Sequence, residues 1–179
     1  MTSGATGLPP AAFGASLDEV RAFYDAHTDL FVEFAGATIQ GGLVQHPQTG
    51  REIPAWSNRH LADRAGIRPM DRVLDAGCGV CGPALDIAAA LPDVRIDGVT
   101  ISPRQADIAR DRVADAGQQD RVRVHVADYH AVPFADDSFD FVYSYAVFQH
   151  IPDRDVVFGY FQEARRVLKE GGIARFQNE

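Results

Sequence analysis

Cysteine is nearly missing from this 179-residue chain: Cys78 and Cys81 are the only two, too few and too close together for the disulfide framework of a secreted domain. Basic residues are short as well, 17 against 25 acidic for a net charge of −8, which excludes a non-specific binder of nucleic-acid phosphates. No apolar run approaches the ~20 residues of a membrane span, and no charged segment precedes an apolar core at the amino terminus. The cysteines lack a third and fourth partner at zinc spacing, so no metal site is expected. What these absences leave is an acidic, cytoplasmic chain of about one domain. At 46 % apolar residues it can bury roughly 70 % of its unfolded surface without disulfides.

Residues 1–15 carry no charge and several glycines and prolines, the composition of a flexible tail. Ser16 and Glu19 then form a capping-box pair, opening a helix whose Val20, Tyr24, His27, Phe31 and Phe34 recur at near-helical spacing. Gly36 and Gly41-Gly42 end it, and an irregular loop runs to Gly50. A short helix over Arg59 to Ala65 stops at Gly66 and Pro69. Short β-branched runs then alternate with longer amphipathic ones. Strands are predicted at Arg72 to Ala76, Val94 to Thr100, Val122 to Val126, Phe139 to Tyr145 and Ile173 to Phe176. Helices are predicted from Pro83 to Leu91, from Pro103 to a stop at Gly117, and from an Asp153 cap to Gly171-Gly172. The last of these should bury Val157, Tyr160, Phe161, Ala164 and Leu168. The alternation predicts an α/β fold of Rossmann-like, doubly wound type: a mostly parallel sheet, helices on both faces, and ligands outside the carboxyl ends of the strands.

Val73-Leu74-Asp75-Ala76-Gly77-Cys78-Gly79-Val80-Cys81-Gly82 is the sharpest motif. Gly77, Gly79 and Gly82 satisfy the G-x-G-x-x-G dinucleotide pattern between a strand and a helix. Taken literally this means NAD or FAD, with a pyrophosphate at the first turn. Asp75, two residues before the first glycine, argues otherwise, because its carboxylate would repel a diphosphate. It suits a ligand whose near end is cationic, an ammonium or a sulfonium. S-adenosylmethionine has both, and its adenosine still needs close backbone approach. Cys78 and Cys81 also form a C-x-x-C at a strand-to-helix turn, the arrangement of a thiol redox site. Between flanking glycines they read as small residues filling a tight loop.

The same loop resembles the first motif of the class I S-adenosylmethionine-dependent methyltransferases. Further segments fall in order along the chain: Gly98-Val-Thr100-Ile-Ser102-Pro-Arg-Gln105, Ala127-Asp128-Tyr129, Pro133 to Asp140, His150-Ile-Pro-Asp153, and Arg166-Val-Leu-Lys-Glu-Gly-Gly172. The resemblance covers residues 56–179, the cofactor-binding domain it implies. The Phe23-Tyr24-Asp25 helix looks like the lid of the small-molecule branch, which includes sterol and tocopherol methyltransferases, so residues 16–55 form a lid and loop. By matching position, Gly77, Cys78 and Gly79 bring the backbone to the methionine and ribose, with Asp75 near the amino group. Asp128 accepts from the adenine amino group, Tyr129 lies beside the ring, and Ser144 lines the cofactor at the end of the fourth strand. Most members have an acidic residue for the ribose diol where this chain has Thr100. Gln105 is its substitute, although as the third residue after Ser102 it also completes a capping box. Asp128 has a structural reading too, as a turn residue at a strand end. Cys81 replaces a common glycine and implies a tighter pocket.

Methyl transfer to oxygen or nitrogen needs a base, and His150, beyond the fourth strand, is the candidate. A structural role for it weighs more, since many members carry a histidine there. Relatives that methylate carbon through a cation often have glutamate where this chain has Ala146, which leaves oxygen, nitrogen or activated-carbon acceptors. The family sheet has seven strands, and Glu179 closely follows the fifth. The sheet is therefore expected to be truncated there, with Ile173 to Phe176 as an edge that self-associates or pairs with another chain. The resulting reading is a methyltransferase of a small molecule. A non-catalytic cofactor-binding remnant and a nucleotide-dependent oxidoreductase remain as alternatives.

Overall fold

The computed structural model describes residues 16–38, 45–51, 53–145, 147, 148, 151 and 153–176. Ser16 and Glu19 form the expected reciprocal cap: the Ser16 N–H donates to Glu19 Oε2 at 2.6 Å and the Glu19 N–H to Ser16 Oγ at 3.3 Å. They open helix α1 (Leu17–Ala35), which ends at Gly36 with φ +71°. Thr28 and Phe31 are its buried residues, with Phe23, Tyr24 and His27 packed beside Phe31. Phe34 does not join this face and is 70 % exposed.

Helix α2 (Pro54–Ala65) begins five residues before the expected Arg59. Proline fits a first helical turn, where its missing N–H costs nothing. The polar Trp56-Ser57-Asn58 run hid this turn from apolar periodicity, yet Ser57 and Asn58 are fully buried. Five strands and three helices follow, alternating except between the third and fourth strands: β1 (Arg72–Ala76), α3 (Gly82–Ala90), β2 (Arg95–Thr100), α4 (Pro103–Asp115), β3 (Val122–Val126), β4 (Phe139–Ser144), α5 (Arg154–Val167) and β5 (Leu168–Phe176). A 3-10 turn at Tyr129–Ala131 connects β3 to β4.

The sheet has the order β3-β2-β1-β4-β5 and every pairing is parallel. Chain direction across the sheet reverses between β1 and β4, so their carboxyl ends flank the crevice where such folds bind ligands. Both faces are covered. Val73, Ile96, Phe141 and Tyr143 pack on one side with Ala62, Ile87, Ala109 and Val113. On the other side Leu74, Val99 and Val142 meet Tyr160, Ala164 and Val167 of α5. Burial on both faces explains the near-continuous apolar strands.

The end of α5 corrects the expected boundaries. The helix stops at Val167 and the strand starts at Leu168 rather than Ile173. Phe139 pairs with Leu168 and Phe141 with Ile173, so Lys169 to Gly172 bulge around Asp140. Lys169 Nζ binds both Asp140 carboxylate oxygens, at 2.8 and 2.9 Å, and Gly171 takes φ +79°. The buried face of α5 is Tyr160, Glu163, Ala164 and Val167, while Phe161 is 40 % exposed. Among the described residues, β5 pairs with β4 alone.

Candidate functional site

The loop after β1 is held by its backbone. The N–H groups of Gly77 and Cys78 both donate to the Val99 carbonyl at 2.9 Å, tying the loop to β2. Gly77, Gly79 and Cys81 all take positive φ, at +97°, +53° and +64°. The last value explains why glycine is common at the position of Cys81: a left-handed backbone costs other residues about 1–2 kcal/mol. Cys81 is fully buried on the sheet side, in the same cluster as Val73 and Phe141. It therefore packs the core and does not narrow the pocket as expected. A Cβ on Gly77 would come within 2.2 Å of Val147, and one on Gly82 within 2.1 Å of the Ala37 carbonyl. The segments after β4 and after α1 thus both close on the loop. Gly79, by contrast, faces open space.

Asp75 lies beneath this loop and is 2 % exposed. Tyr143 Oη donates to its Oδ2 at 2.8 Å. Burial pushes the carboxyl up to about 7, against the opposing pull of that hydrogen bond. Tyr145, raised by burial and then by the Asp75 charge, has a hydroxyl without a hydrogen-bond partner among the described residues. Cys78 is held protonated, first by its hydrogen bond with Cys81 and then by burial. A thiol redox centre needs the thiolate, so the buried, free cysteines are structural.

At the end of β2, Thr100 Oγ1 donates to Gln105 Oε1 at 2.7 Å and accepts from the Ser102 N–H at 3.3 Å. The Gln105 N–H donates to Ser102 Oγ at 3.1 Å. Only half of a capping box forms, because the Gln105 side chain turns to Thr100. Asp25 of α1, a residue whose role at the site sequence reasoning missed, accepts from the Ser102 hydroxyl and from the Arg104 N–H. A carboxylate there suits the positive end of α4. With the 2.6 Å Arg104–Asp29 ion pair, it docks α1 beside Thr100 and Gln105. No local pattern announces a contact between residues 77 positions apart.

Asp128 performs the turn role open to it: its Oδ1 accepts from the His130 N–H at 3.0 Å and faces His130 Nδ1 at 3.1 Å. Its Oδ2 makes no hydrogen bond among the described residues. The Tyr129 ring is 4 % exposed and stacks on Tyr160 at 4.9 Å, in the cluster packed on the α5 side of the sheet. Ser144 Oγ donates to the Ala76 carbonyl at 2.7 Å, joining β1 to β4. His150 lies outside the described residues, as does Ala146. No metal-binding cluster occurs among the described residues.

The structure therefore gathers Asp75, Gly77, Gly79, Thr100, Gln105 and Asp128 at the carboxyl ends of β1, β2 and β3, with Asp25 behind them. Asp97, the other acid of β2, is tied to His125 at 2.9 Å and to Arg72 at 3.4 Å. It is not available as the ribose acid of a dinucleotide site.

This geometry has relatives. The 27-O-demethylrifamycin SV methyltransferase of Amycolatopsis mediterranei is 36 % identical over 156 residues, covering 87 % of this chain and 56 % of that protein. The [4+2]-cyclase SpnF superimposes with a TM-score of 0.78 at 27 % identity, over 89 % of this chain and 59 % of its own. The geranyl diphosphate C-methyltransferase from Streptomyces coelicolor A3(2), solved with Mg2+, geranyl diphosphate and S-adenosyl-L-homocysteine, gives 0.57 at 26 % identity, over 67 % and 43 %. The chain spans a little over half the length of the curated relatives it matches first. A methyltransferase-domain match runs over residues 73–172, from within β1 to the bulge of β5. The chain belongs to the methyltransferase domain family.

Proposed function

We propose that this chain binds S-adenosylmethionine at the carboxyl ends of β1 to β3 and forms part of a methyltransferase acting on a small molecule. The observation that carries the reading is Asp75, a buried carboxyl under a glycine loop. Such a group is costly to ionise without a cation beside it. The donor set suits the cofactor: acids face its ammonium and adenine amino groups, and Gly79 leaves the space that close backbone approach requires. When bound, S-adenosylmethionine supplies an electrophilic methyl group on a sulfonium.

This chain's own residues bind and orient. Asp75 holds the amino group, while Gly77 and Gly79 admit the methionine and ribose. Gln105, whose carbonyl is engaged by Thr100, offers its amide N–H groups to the ribose. Asp128 Oδ2 accepts from the adenine amino group. Ser144 and Cys78 shape the loop from behind through the Ala76 carbonyl and the core. Positioning donor and acceptor in line is much of the catalysis in such a displacement. The acceptor is a small molecule with an oxygen, nitrogen or activated carbon, and His150 is the base candidate for the first two. We also place the protein in the cytoplasm, on its free cysteines; no helix of the described residues is long and apolar enough to cross a membrane.

The likeness to a [4+2]-cyclase favours a second reading, in which the same fold hosts chemistry other than methyl transfer. Incubation with methyl-labelled donor and a metabolite extract tests the first. Label transferred to a small product supports it, and tight donor binding without any labelled product overturns the methyltransferase reading.

A further inference from the structure

His130 has no part in the reading above, yet it is the best-bonded group around Asp128. Its backbone N–H and its Nδ1 both meet Asp128 Oδ1, at 3.0 and 3.1 Å, and its Nε2 meets the Val156 carbonyl of α5 at 3.2 Å. Both ring nitrogens thus face acceptors, the Asp128 carboxylate on one side and a main-chain carbonyl of α5 on the other. The imidazole lies 4.7 Å from the Tyr160 ring centroid, tilted 49° to it, and packs against that ring. Space for it is made by Gly159, where a Cβ would stand 2.6 Å from His130 Cδ2 and 2.9 Å from Nε2. One oxygen of Asp128 is consequently fully engaged, while the other makes no hydrogen bond among the described residues.

We propose that His130 is a positioning residue: it fixes the Asp128 carboxylate with Oδ2 directed to the cofactor's adenine amino group and ties that carboxylate to α5. This rests on the reading of Asp128 as the adenine acceptor. Both oxygens of a carboxylate accept and neither donates, so Asp128 favours an amino group over a carbonyl at the purine 6-position only while an oxygen is held opposite that position, and the clasp on Oδ1 holds it there. The clasp also spans from the end of β3 to the helix that follows β4, linking the nucleoside end of the site to the acceptor side.

The test compares the dissociation constants of S-adenosylhomocysteine and S-inosylhomocysteine, which carries oxygen in place of the 6-amino group. The wild-type chain should prefer the adenine compound about tenfold. His130→Ala should cut that preference to below about threefold by weakening the adenine compound alone. Gly159→Ala keeps the histidine and suits the helix better than glycine, yet pushes the ring aside; it should lose the preference in the same way and carries the test if His130→Ala does not fold. A preference unchanged in both variants, or equal weakening of both ligands, overturns the proposal. Asp128→Asn separates the two levels: if it keeps the wild-type preference, the reading of Asp128 is wrong and the role of His130 falls with it. If Asp128→Asn loses the preference while the His130 and Gly159 variants keep it, Asp128 stands and the histidine's role alone is overturned.

Discussion

At Asp75 near-complete burial pushes the carboxyl up to about 7 from 3.8, against the pull of the Tyr143 hydrogen bond. Because the folded value is raised, its contribution to stability is complete below about pH 4 and is lost as pH rises through about 7. The loss amounts to on the order of 4 kcal/mol at pH 8, from about 1.4 kcal/mol for each pH unit between the two values. Thermal melts of the ligand-free chain should therefore fall between pH 5 and 8, and Asp75→Asn should flatten that profile while weakening S-adenosylhomocysteine at least tenfold. A wild-type melting temperature independent of pH over this range would contradict the burial argument. The acid itself was legible in the sequence, because the spacing to Gly77 put it at the strand end. Its partner Tyr143 was not, since a hydrogen bond between residues 68 positions apart leaves no local trace. The stacking of Tyr129 on Tyr160 was hidden for a related reason: an aromatic residue after a strand reads equally well as a ligand shelf or as core.

At the scale of elements, regular strands and helix starts were readable wherever a cap or an alternation marked them. Ser16, Ser102 and Asp153 each cap the helix they were expected to open. The boundaries that failed lie where tertiary contacts overrule local signals. Helix α2 starts on a buried polar turn, with Asn58 Nδ2 donating to Thr38 Oγ1 at 3.1 Å and to Asp86 Oδ2 at 2.6 Å. Helix α5 buries Glu163, a residue that apolar periodicity passes over. Glu163 accepts from the Val132 N–H at 2.9 Å and from Arg166 through both carboxylate oxygens, at 2.6 and 2.8 Å. Arg166 in turn reaches the Phe134 carbonyl and Asp136 at 2.8 and 2.7 Å. Glu163→Ala leaves the buried Val132 N–H unpaired and strips the Arg166 guanidinium of its two bonds to Glu163, and should cost about 2–4 kcal/mol in urea unfolding. A loss below about 0.5 kcal/mol would show that this cluster does not hold α5 to the loop before β4.

The described residues form a parallel sheet whose outer strands, β3 and β5, each pair with a single neighbour. On β5 Ile173 is 37 % exposed, and on α5 Phe161 and Phe158 are 40 % and 61 % exposed, beside a row of β5 backbone groups without a strand partner among the described residues. Such an edge is a template for pairing, so sedimentation should show association that rises with concentration and is reduced by Ile173→Lys. A monomer at all concentrations would remove that expectation without touching the site. The central claim, a cationic donor held by Asp75 in place of a diphosphate, is tested most directly by calorimetry of the purified chain against S-adenosylhomocysteine and NAD. The account predicts saturable binding of the sulfur compound, abolished in Asp75→Ala, and no heat from the dinucleotide; tight uptake of NAD with no response to S-adenosylhomocysteine would contradict it.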